Sequence, residues 1–207
     1  MTVIFDLDGT LVDSKKAIAE AINEVRERLY GLPPLDERAV LRAFSMPNES
    51  VPGYLYGTRQ YEKKASILFE KVYTERCYRD VPLFDGVKTL IRRLKTSGCS
   101  LYVATNAPTS TSKAVLEGNG VADAFTDIVG ADRVANPKPS SDMIRLIVAD
   151  GGREKAWMIG DTFKDREAAK RAGIGFVYAA WGYGPSAIDS DENLPTARLP
   201  EDIMGLL

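Results

Sequence analysis

The sequence predicts an α/β layered fold with a parallel five-stranded sheet and a helical segment inserted after the first strand. Three observations support this prediction. Five short apolar runs rich in β-branched and aromatic residues are spread along the chain, and helical patterns lie between the later ones. A long stretch after the first run contains no strand-like segment. Strands alternating with helices are typical of parallel sheets joined by right-handed crossovers.

The apolar runs have the character of strands that are buried on both faces. The first run, 2–6 (TVIFD), ends in an acid and is followed shortly by Gly9 and Thr10. A continuous apolar run is expected where both faces of a strand are covered. The remaining four strands are predicted at 100–104, 127–130, 156–159 and 174–179.

Helical periodicity separates these runs. One predicted helix places four apolar residues on a single face, and Gly98 follows where a C-terminal cap is expected. These four residues are Val87, Leu90, Ile91 and Leu94. A second helical pattern covers 143–148, and a third covers about 164–172 and ends at Gly173.

The stretch 13–80 is predicted to be a small helical domain. Two long helical patterns are centred on 18–29 and 65–76, and 36–44 allows a shorter helix. Between them, 45–60 is too rich in Pro, Gly and polar residues to be regular throughout. We therefore predict a core made of 1–12 and 81–207, with 13–80 inserted into it.

Composition narrows the possible chemistry. The 207 residues are 44% hydrophobic, which is enough for a substantial core. The formal net charge of −2 gives no general attraction to nucleic acid or to anionic membranes, so neither is an expected partner. The chain has no histidine, which excludes Ser-His-Asp and Cys-His catalysis and His-ligated metals.

The sequence also predicts a cytoplasmic location. Cys77 and Cys99 lie far apart and lack the density of a disulfide scaffold. An acid at position 6 interrupts the apolar start, so no secretory signal is expected. No apolar run approaches the roughly 20 residues that a membrane-spanning helix needs.

Polar residues cluster where the predicted strands end, which is where open α/β sheets place their ligand sites. They are Asp6 and Asp8 after the first strand, Thr105 and Asn106 after the second, Lys138 after the third, and Asp161 and Asp165 after the fourth. Gathering carboxylates is unfavourable unless a cation neutralises them or some are protonated. An all-oxygen ligand set suits Mg²⁺.

These residue types together indicate phosphoryl transfer. One ammonium, one hydroxyl and free N–H groups at a helix start can hold a phosphate dianion. The nucleophile is expected to be an aspartate, because no serine or cysteine with an adjacent base lies at these strand ends. Attack by a carboxylate on phosphorus gives an aspartyl-phosphate.

Four segments, in order, resemble the motifs of the haloacid dehalogenase-like hydrolase superfamily. They are DLDGTLVDS at 6–14, ATNAP at 104–108, NPKP at 136–139 and GDTFKD at 160–165. Over its whole length the chain is similar to phosphoglycolate phosphatase-type members with a helical cap. The resemblance implies a Rossmann-like three-layer core with the 2–6 strand between those at 100–104 and 156–159.

The resemblance also implies a role for each motif residue. Asp6 would be the nucleophile, and Asp8 would protonate the leaving oxygen and then activate the hydrolytic water. Thr105 and the Asn106 backbone N–H would hold phosphate oxygens, and Lys138 would neutralise both phosphate and nucleophile.

The implied metal ligands are Asp6, the backbone carbonyl of Asp8, Asp161 and Asp165, the last either directly or through water. Substrate specificity is assigned to two loops. One is 45–60, with Asn48, Glu49 and Arg59, and the other follows the last strand and contains Tyr183. Either loop could instead be a connection without such a role.

The resulting hypothesis is a Mg²⁺-dependent phosphatase acting on a small phosphorylated metabolite, with phosphoglycolate as the first candidate. A phosphomutase of the β-phosphoglucomutase type, a pyrophosphatase and a non-catalytic binding protein of the same fold stay open. Dehalogenase chemistry is disfavoured, because it needs neither an acid at position 8 nor a metal site. The sequence does not distinguish a monomer from a homodimer.

Overall fold

A computed structural model of the protein describes residues 1–43, 46, 50–149, 155–184 and 194–207. The chain divides into two compact units. The core unit comprises Met1–Asp13 and Pro82–Leu207, and the helical unit comprises Ser14–Val81. Within the described ranges, no helix combines the length and the apolar character needed to cross a lipid bilayer.

A parallel sheet of six strands forms the centre of the core unit. The strands are β1 (Thr2–Phe5), β2 (Ser100–Ala104), β3 (Asp127–Val129), β4 (Ala156–Gly160), β5 (Gly175–Ala179) and β6 (Thr196–Ala197). The five predicted strands are confirmed within a residue or two at their ends. The predicted total of five is wrong, because β6 adds a sixth strand at the edge beside β5. Its two residues are too few to show any periodicity.

The strand order is β3-β2-β1-β4-β5-β6, which confirms the predicted central position of β1. Phe5 on β1 pairs with Val103 on β2 and with Ile159 on β4. The chain runs outward from β1 to β3 and then returns past β1 to form β4. Such a reversal opens a crevice beyond the carboxyl ends of the central strands, where ligands bind in folds of this kind.

The helical unit consists of α1 (Lys15–Tyr30), α2 (Glu37–Arg42), α3 (Val51–Tyr56) and α4 (Lys63–Asp80). The apolar face of α1 is buried, and α1 packs against α4. Arg76 on α4 pairs with Glu20 and Glu24 on α1, each at 2.7 Å. Within the stretch 45–60, predicted to be partly irregular, α3 forms with a proline in its first turn, where a missing N–H is tolerated.

The helices of the core unit are α5 (Val87–Thr96), α6 (Thr109–Gly118), α7 (Asp142–Ile147), α8 (Phe163–Ala172) and α9 (Ile203–Leu206). All four apolar residues predicted for the buried face of α5 are buried. The helix α8 packs against β4 and β5 through alanines, which let it approach the sheet closely. Because β4 ends at Gly160 and α8 begins at Phe163, the first turn of α8 lies at the carboxyl end of β4.

Candidate active site

Asp6 stands where β1 ends, at the centre of the sheet. Its backbone N–H donates to the carbonyl of Ile159 on β4 at 2.9 Å. Its Oδ1 atom accepts a hydrogen bond from the N–H of Leu7 at 2.7 Å. The following turn contains Gly9 at φ +82°, where a Cβ would lie 2.3 Å from Oδ2 of Asp161. Only glycine allows this turn to approach the carboxylate so closely.

Three buried carboxylates meet at the ends of β1 and β4. Asp6, Asp161 and Asp165 each offer an oxygen, and these oxygens all lie within 4.8 Å of one another. Asp161 directly follows β4, and Asp165 lies in the first turn of α8. The Oδ2 atom of Asp165 accepts hydrogen bonds from the Thr162 N–H at 3.0 Å and the Thr162 hydroxyl at 2.6 Å. This capping interaction directs Asp165 into the cluster.

Lys138 is buried against these carboxylates. Its Nζ donates to Oδ1 of Asp6 at 2.7 Å and to Oδ1 of Asp165 at 2.6 Å. The side chain of Asn106 fixes the lysine backbone by accepting from its N–H and donating to its carbonyl, both at 2.9 Å. Thr105 is buried beside Asn106, and its hydroxyl accepts from the N–H of Ala107.

Burial and neighbouring charges shift the pKa values of Asp6 and Lys138. Burial raises the pKa of Asp6 well above its ordinary value, and the charges on Asp165 and Asp161 raise it further, although Lys138 opposes them. Burial alone would lower the pKa of Lys138, but Asp165 and Asp6 hold it above its ordinary value. The lysine is therefore charged at neutral pH.

The pKa of Asp161 is raised for the same reasons as that of Asp6. Burial, and to a smaller extent the charge on Asp165, raise the pKa of Asp161 to about 7. Hydrogen bonds from the Tyr183 N–H and the Thr10 hydroxyl act in the opposite direction. When all three carboxylates are ionised, Lys138 neutralises only one of their charges.

The donor set fits a hard divalent cation. It consists of carboxylate oxygens, which Mg²⁺ prefers, and it carries two uncompensated negative charges when ionised. Asp161 accepts three hydrogen bonds, from the Thr10 hydroxyl and the N–H groups of Tyr183 and Gly184. An ionised carboxylate offers about four lone-pair sites, so Asp161 keeps one for a metal.

The remaining predicted site residues lie in different surroundings. Asp8 is half-buried in the turn after β1, and its carboxylate is not part of the triad formed by the other three acids. Arg59 is exposed in the helical unit, and its suggested role in specificity stays a prediction. Asn48 and Glu49 lie outside the described residues.

Sequence reasoning missed three features of the site. One is the Asn106 side chain as a clamp on Lys138, since only its backbone N–H was assigned a role. Another is the hydrogen bond from Thr10 to Asp161, which joins residues 151 positions apart. The third is Lys164, a half-buried lysine at the start of α8. Burial lowers its pKa, against the raising effects of Asp165 and Asp6, so its ammonium lies within electrostatic reach of the cluster.

Comparison with known proteins identifies relatives along almost the whole chain. Residues 3–179 match the family model described as haloacid dehalogenase-like hydrolase. A probable phosphatase, IndB, from Dickeya dadantii is 34% identical over 188 residues, which cover 87% of this chain and 81% of that protein. Phosphoglycolate phosphatase from Rhodobacter capsulatus is 32% identical over 211 residues, covering 99% and 94% of the two chains.

Solved structures show the same architecture. A haloacid dehalogenase-like family hydrolase from Streptococcus pneumoniae is 27% identical and superposes with a TM-score of 0.82. The alignment covers 99% of this chain and 96% of that chain.

Proposed function

Because the chain belongs to the haloacid dehalogenase-like hydrolase family, we propose that it is a Mg²⁺-dependent phosphatase that acts through an aspartyl-phosphate on Asp6. Its phosphatase relatives make it a phosphoric monoester hydrolase. The observation that carries the finer proposal is the buried pair of Asp6 and Lys138 beside two further carboxylates. The substrate is a small phosphorylated metabolite, and phosphoglycolate is the first candidate because relatives bear that name.

Asp6 is the best-placed nucleophile of the cluster. Its side chain is 11% exposed, whereas the side chains of Lys138 and Asp165 are 3% and 0% exposed. Both hydrogen bonds described for its carboxylate fall on Oδ1, so Oδ2 keeps its lone pairs for attack. Attack forms the bond between Oδ2 and phosphorus and breaks the bond from phosphorus to the leaving oxygen.

Asp8 is proposed to move the protons. In the first step its carboxyl group donates a proton to the leaving oxygen, which departs as an alcohol. In the second step its carboxylate accepts a proton from the attacking water. The water oxygen then forms a bond to phosphorus, the bond from phosphorus to Asp6 breaks, and inorganic phosphate is released.

Lys138, Thr105 and the backbone N–H of Asn106 are proposed to hold the phosphoryl oxygens. The lysine is charged and fixed in place by Asn106, so it adds positive charge without reorganising during the reaction. A bound Mg²⁺ would be held by Asp6, the Asp8 carbonyl and Asp161, with Asp165 direct or through water, and would neutralise charge on the transferring phosphoryl group.

A phosphate-release assay tests this proposal. Purified protein is incubated with Mg²⁺ and a panel of phosphate monoesters, sugar phosphates, nucleotides and pyrophosphate, with Asp6→Asn as the matched inactive variant. We expect steady release of phosphate from at least one small monoester and none from the variant. Turnover that needs a bisphosphate activator would instead indicate a phosphomutase, and preferred cleavage of pyrophosphate would indicate a pyrophosphatase.

A further inference from the structure

Residues 181–184, here called the β5 loop, hold the carboxylate of Asp161 through their backbone. The N–H groups of Tyr183 and Gly184 donate to Oδ2 of Asp161 at 2.8 Å and 3.2 Å. Asp161 is fully buried, so these donors compensate a charge that water does not reach. The position of the β5 loop therefore determines where this carboxylate points.

The side chains of the β5 loop fasten it to residues 6–13, here called the β1 loop. The indole N–H of Trp181 donates to the carbonyl of Thr10 at 2.9 Å. The hydroxyl of Tyr183 donates to Oδ1 of Asp13 at 2.7 Å. Thr10 in turn donates its hydroxyl to Oδ1 of Asp161 at 3.2 Å. The two loops and Asp161 thus form a closed set of hydrogen bonds.

Two glycines allow the β5 loop to lie directly against Asp161 and the β1 loop. A Cβ on Gly182 would lie 2.2 Å from the carbonyl oxygen of Gly9 and 2.4 Å from the Cβ of Asp161. A Cβ on Gly184 would lie 1.5 Å from the carbonyl oxygen of Asp161. A loop that merely connected β5 to β6 would not need such close contact with one acid. The packing indicates a loop shaped around Asp161.

We propose that Tyr183 is a positioning residue, whose hydroxyl anchors the β5 loop to Asp13 and so aims the Asp161 carboxylate at the divalent cation. This role differs from the contact with substrate that the sequence suggests for Tyr183. The inference rests on the proposed function, because it takes Asp161 to be a metal ligand. Partners that orient a ligand from outside the coordination sphere typically change metal affinity when they are removed.

The variant Tyr183→Phe removes this anchor with little other change. The backbone N–H to Asp161 is retained, and so is the ring packing against Phe84, whose centroid lies 6.0 Å away. The matched control is Tyr30→Phe, which deletes a tyrosine–carboxylate hydrogen bond to Glu62 in the helical unit. A second variant, Trp181→Phe, removes the other anchor of the β5 loop.

The test measures Mg²⁺ binding without catalysis. The melting temperature of each metal-free protein is followed during a Mg²⁺ titration, since a ligand that binds only the folded state raises it. We expect the Mg²⁺ concentration that produces a given rise in melting temperature to increase about tenfold in Tyr183→Phe, and also to increase in Trp181→Phe, because this concentration scales with the dissociation constant. It should be unchanged in Tyr30→Phe. At saturating Mg²⁺, KM for a phosphate monoester should stay within about twofold of the wild-type value.

Each contrary result has a distinct meaning. An unchanged Mg²⁺ titration with a raised KM would overturn the inference and make Tyr183 a substrate contact. A lower melting temperature with an unchanged Mg²⁺ titration would overturn it and leave a purely structural role. A wild-type protein that does not respond to Mg²⁺ would overturn the proposed metal site itself, and the inference with it.

Discussion

Replacing Asp161 with asparagine removes one buried negative charge and keeps the size of the side chain. In the metal-free protein, burial and the charge on Asp165 raise the pKa of Asp161 from 3.8 to about 7. This difference is worth about 4 kcal/mol, because each pKa unit corresponds to about 1.4 kcal/mol. We therefore expect Asp161→Asn to raise the free energy of unfolding of the metal-free protein by up to about 4 kcal/mol at pH 8.

Asparagine can satisfy the hydrogen-bonding groups around position 161. Its amide oxygen can accept from the N–H groups of Tyr183 and Gly184, and its amide nitrogen can donate to the Thr10 hydroxyl. A hydroxyl both donates and accepts, so the hydrogen bond between Thr10 and position 161 is kept with its direction reversed. The groups that contact position 161 thus keep hydrogen bonds to it when the charge is removed.

The pH dependence follows from the direction of the pKa shift. The folded protein binds the Asp161 proton more tightly than the unfolded chain does. The stability that this group contributes is therefore fully present below about pH 4 and is lost as the pH rises through about 7. The advantage of Asp161→Asn should be largest above pH 7 and fall below about 2 kcal/mol at pH 5.

Urea unfolding in EDTA at pH 8 and pH 5, followed by circular dichroism, measures this effect. The control is Asp85→Asn at an exposed position, where a change within about 0.5 kcal/mol is expected. Added Mg²⁺ should stabilise the wild-type protein much more than the Asp161 variant. A variant that is no more stable than wild type in EDTA at pH 8, or whose advantage is the same at both pH values, would refute the reasoning.

Three further predictions concern the metal, the lysine and the glycine contacts. EDTA should abolish phosphate release and Mg²⁺ should restore it; full activity in the chelator would contradict the metal site. Lys138→Met should lower kcat by at least about 10²-fold at saturating Mg²⁺ and substrate, and a loss below tenfold would argue against its role at the phosphoryl group. Gly184→Ala should lower the free energy of unfolding by more than about 2 kcal/mol, because its Cβ meets the Asp161 carbonyl. The control Gly118→Ala has open space around its Cβ and should unfold at nearly the wild-type urea concentration.

The sheet could be predicted because its strands are buried on both faces. Val3, Ile4 and Phe5 are completely buried, so the first strand appears as a continuous apolar run. The strand β6 escapes prediction because Thr196 and Ala197 carry no repeat and are defined only by pairing with β5. Its existence depends on a tertiary contact rather than on local sequence.

The site shows the same division between local and long-range information. Asp6, Lys138 and Asp161 could be found because each follows a recognisable strand, and parallel strands bring their ends together. The hydrogen bonds between Asn106 and Lys138, and the one from Tyr183 to Asp13, could not be found from the sequence. They join residues 32 and 170 positions apart, through side-chain geometry that no spacing rule encodes.

Reductive trapping of the phosphorylated enzyme tests the central claim most directly. The protein is mixed with a substrate from the release assay, quenched during turnover and treated with borohydride, which reduces an acyl-phosphate to an alcohol. Peptide mass spectrometry then locates the reduced residue. We predict reduction at Asp6 in the wild-type protein and none in Asp6→Asn. Reduction at another residue, or none anywhere while the enzyme turns over, would contradict an aspartyl-phosphate at the end of β1.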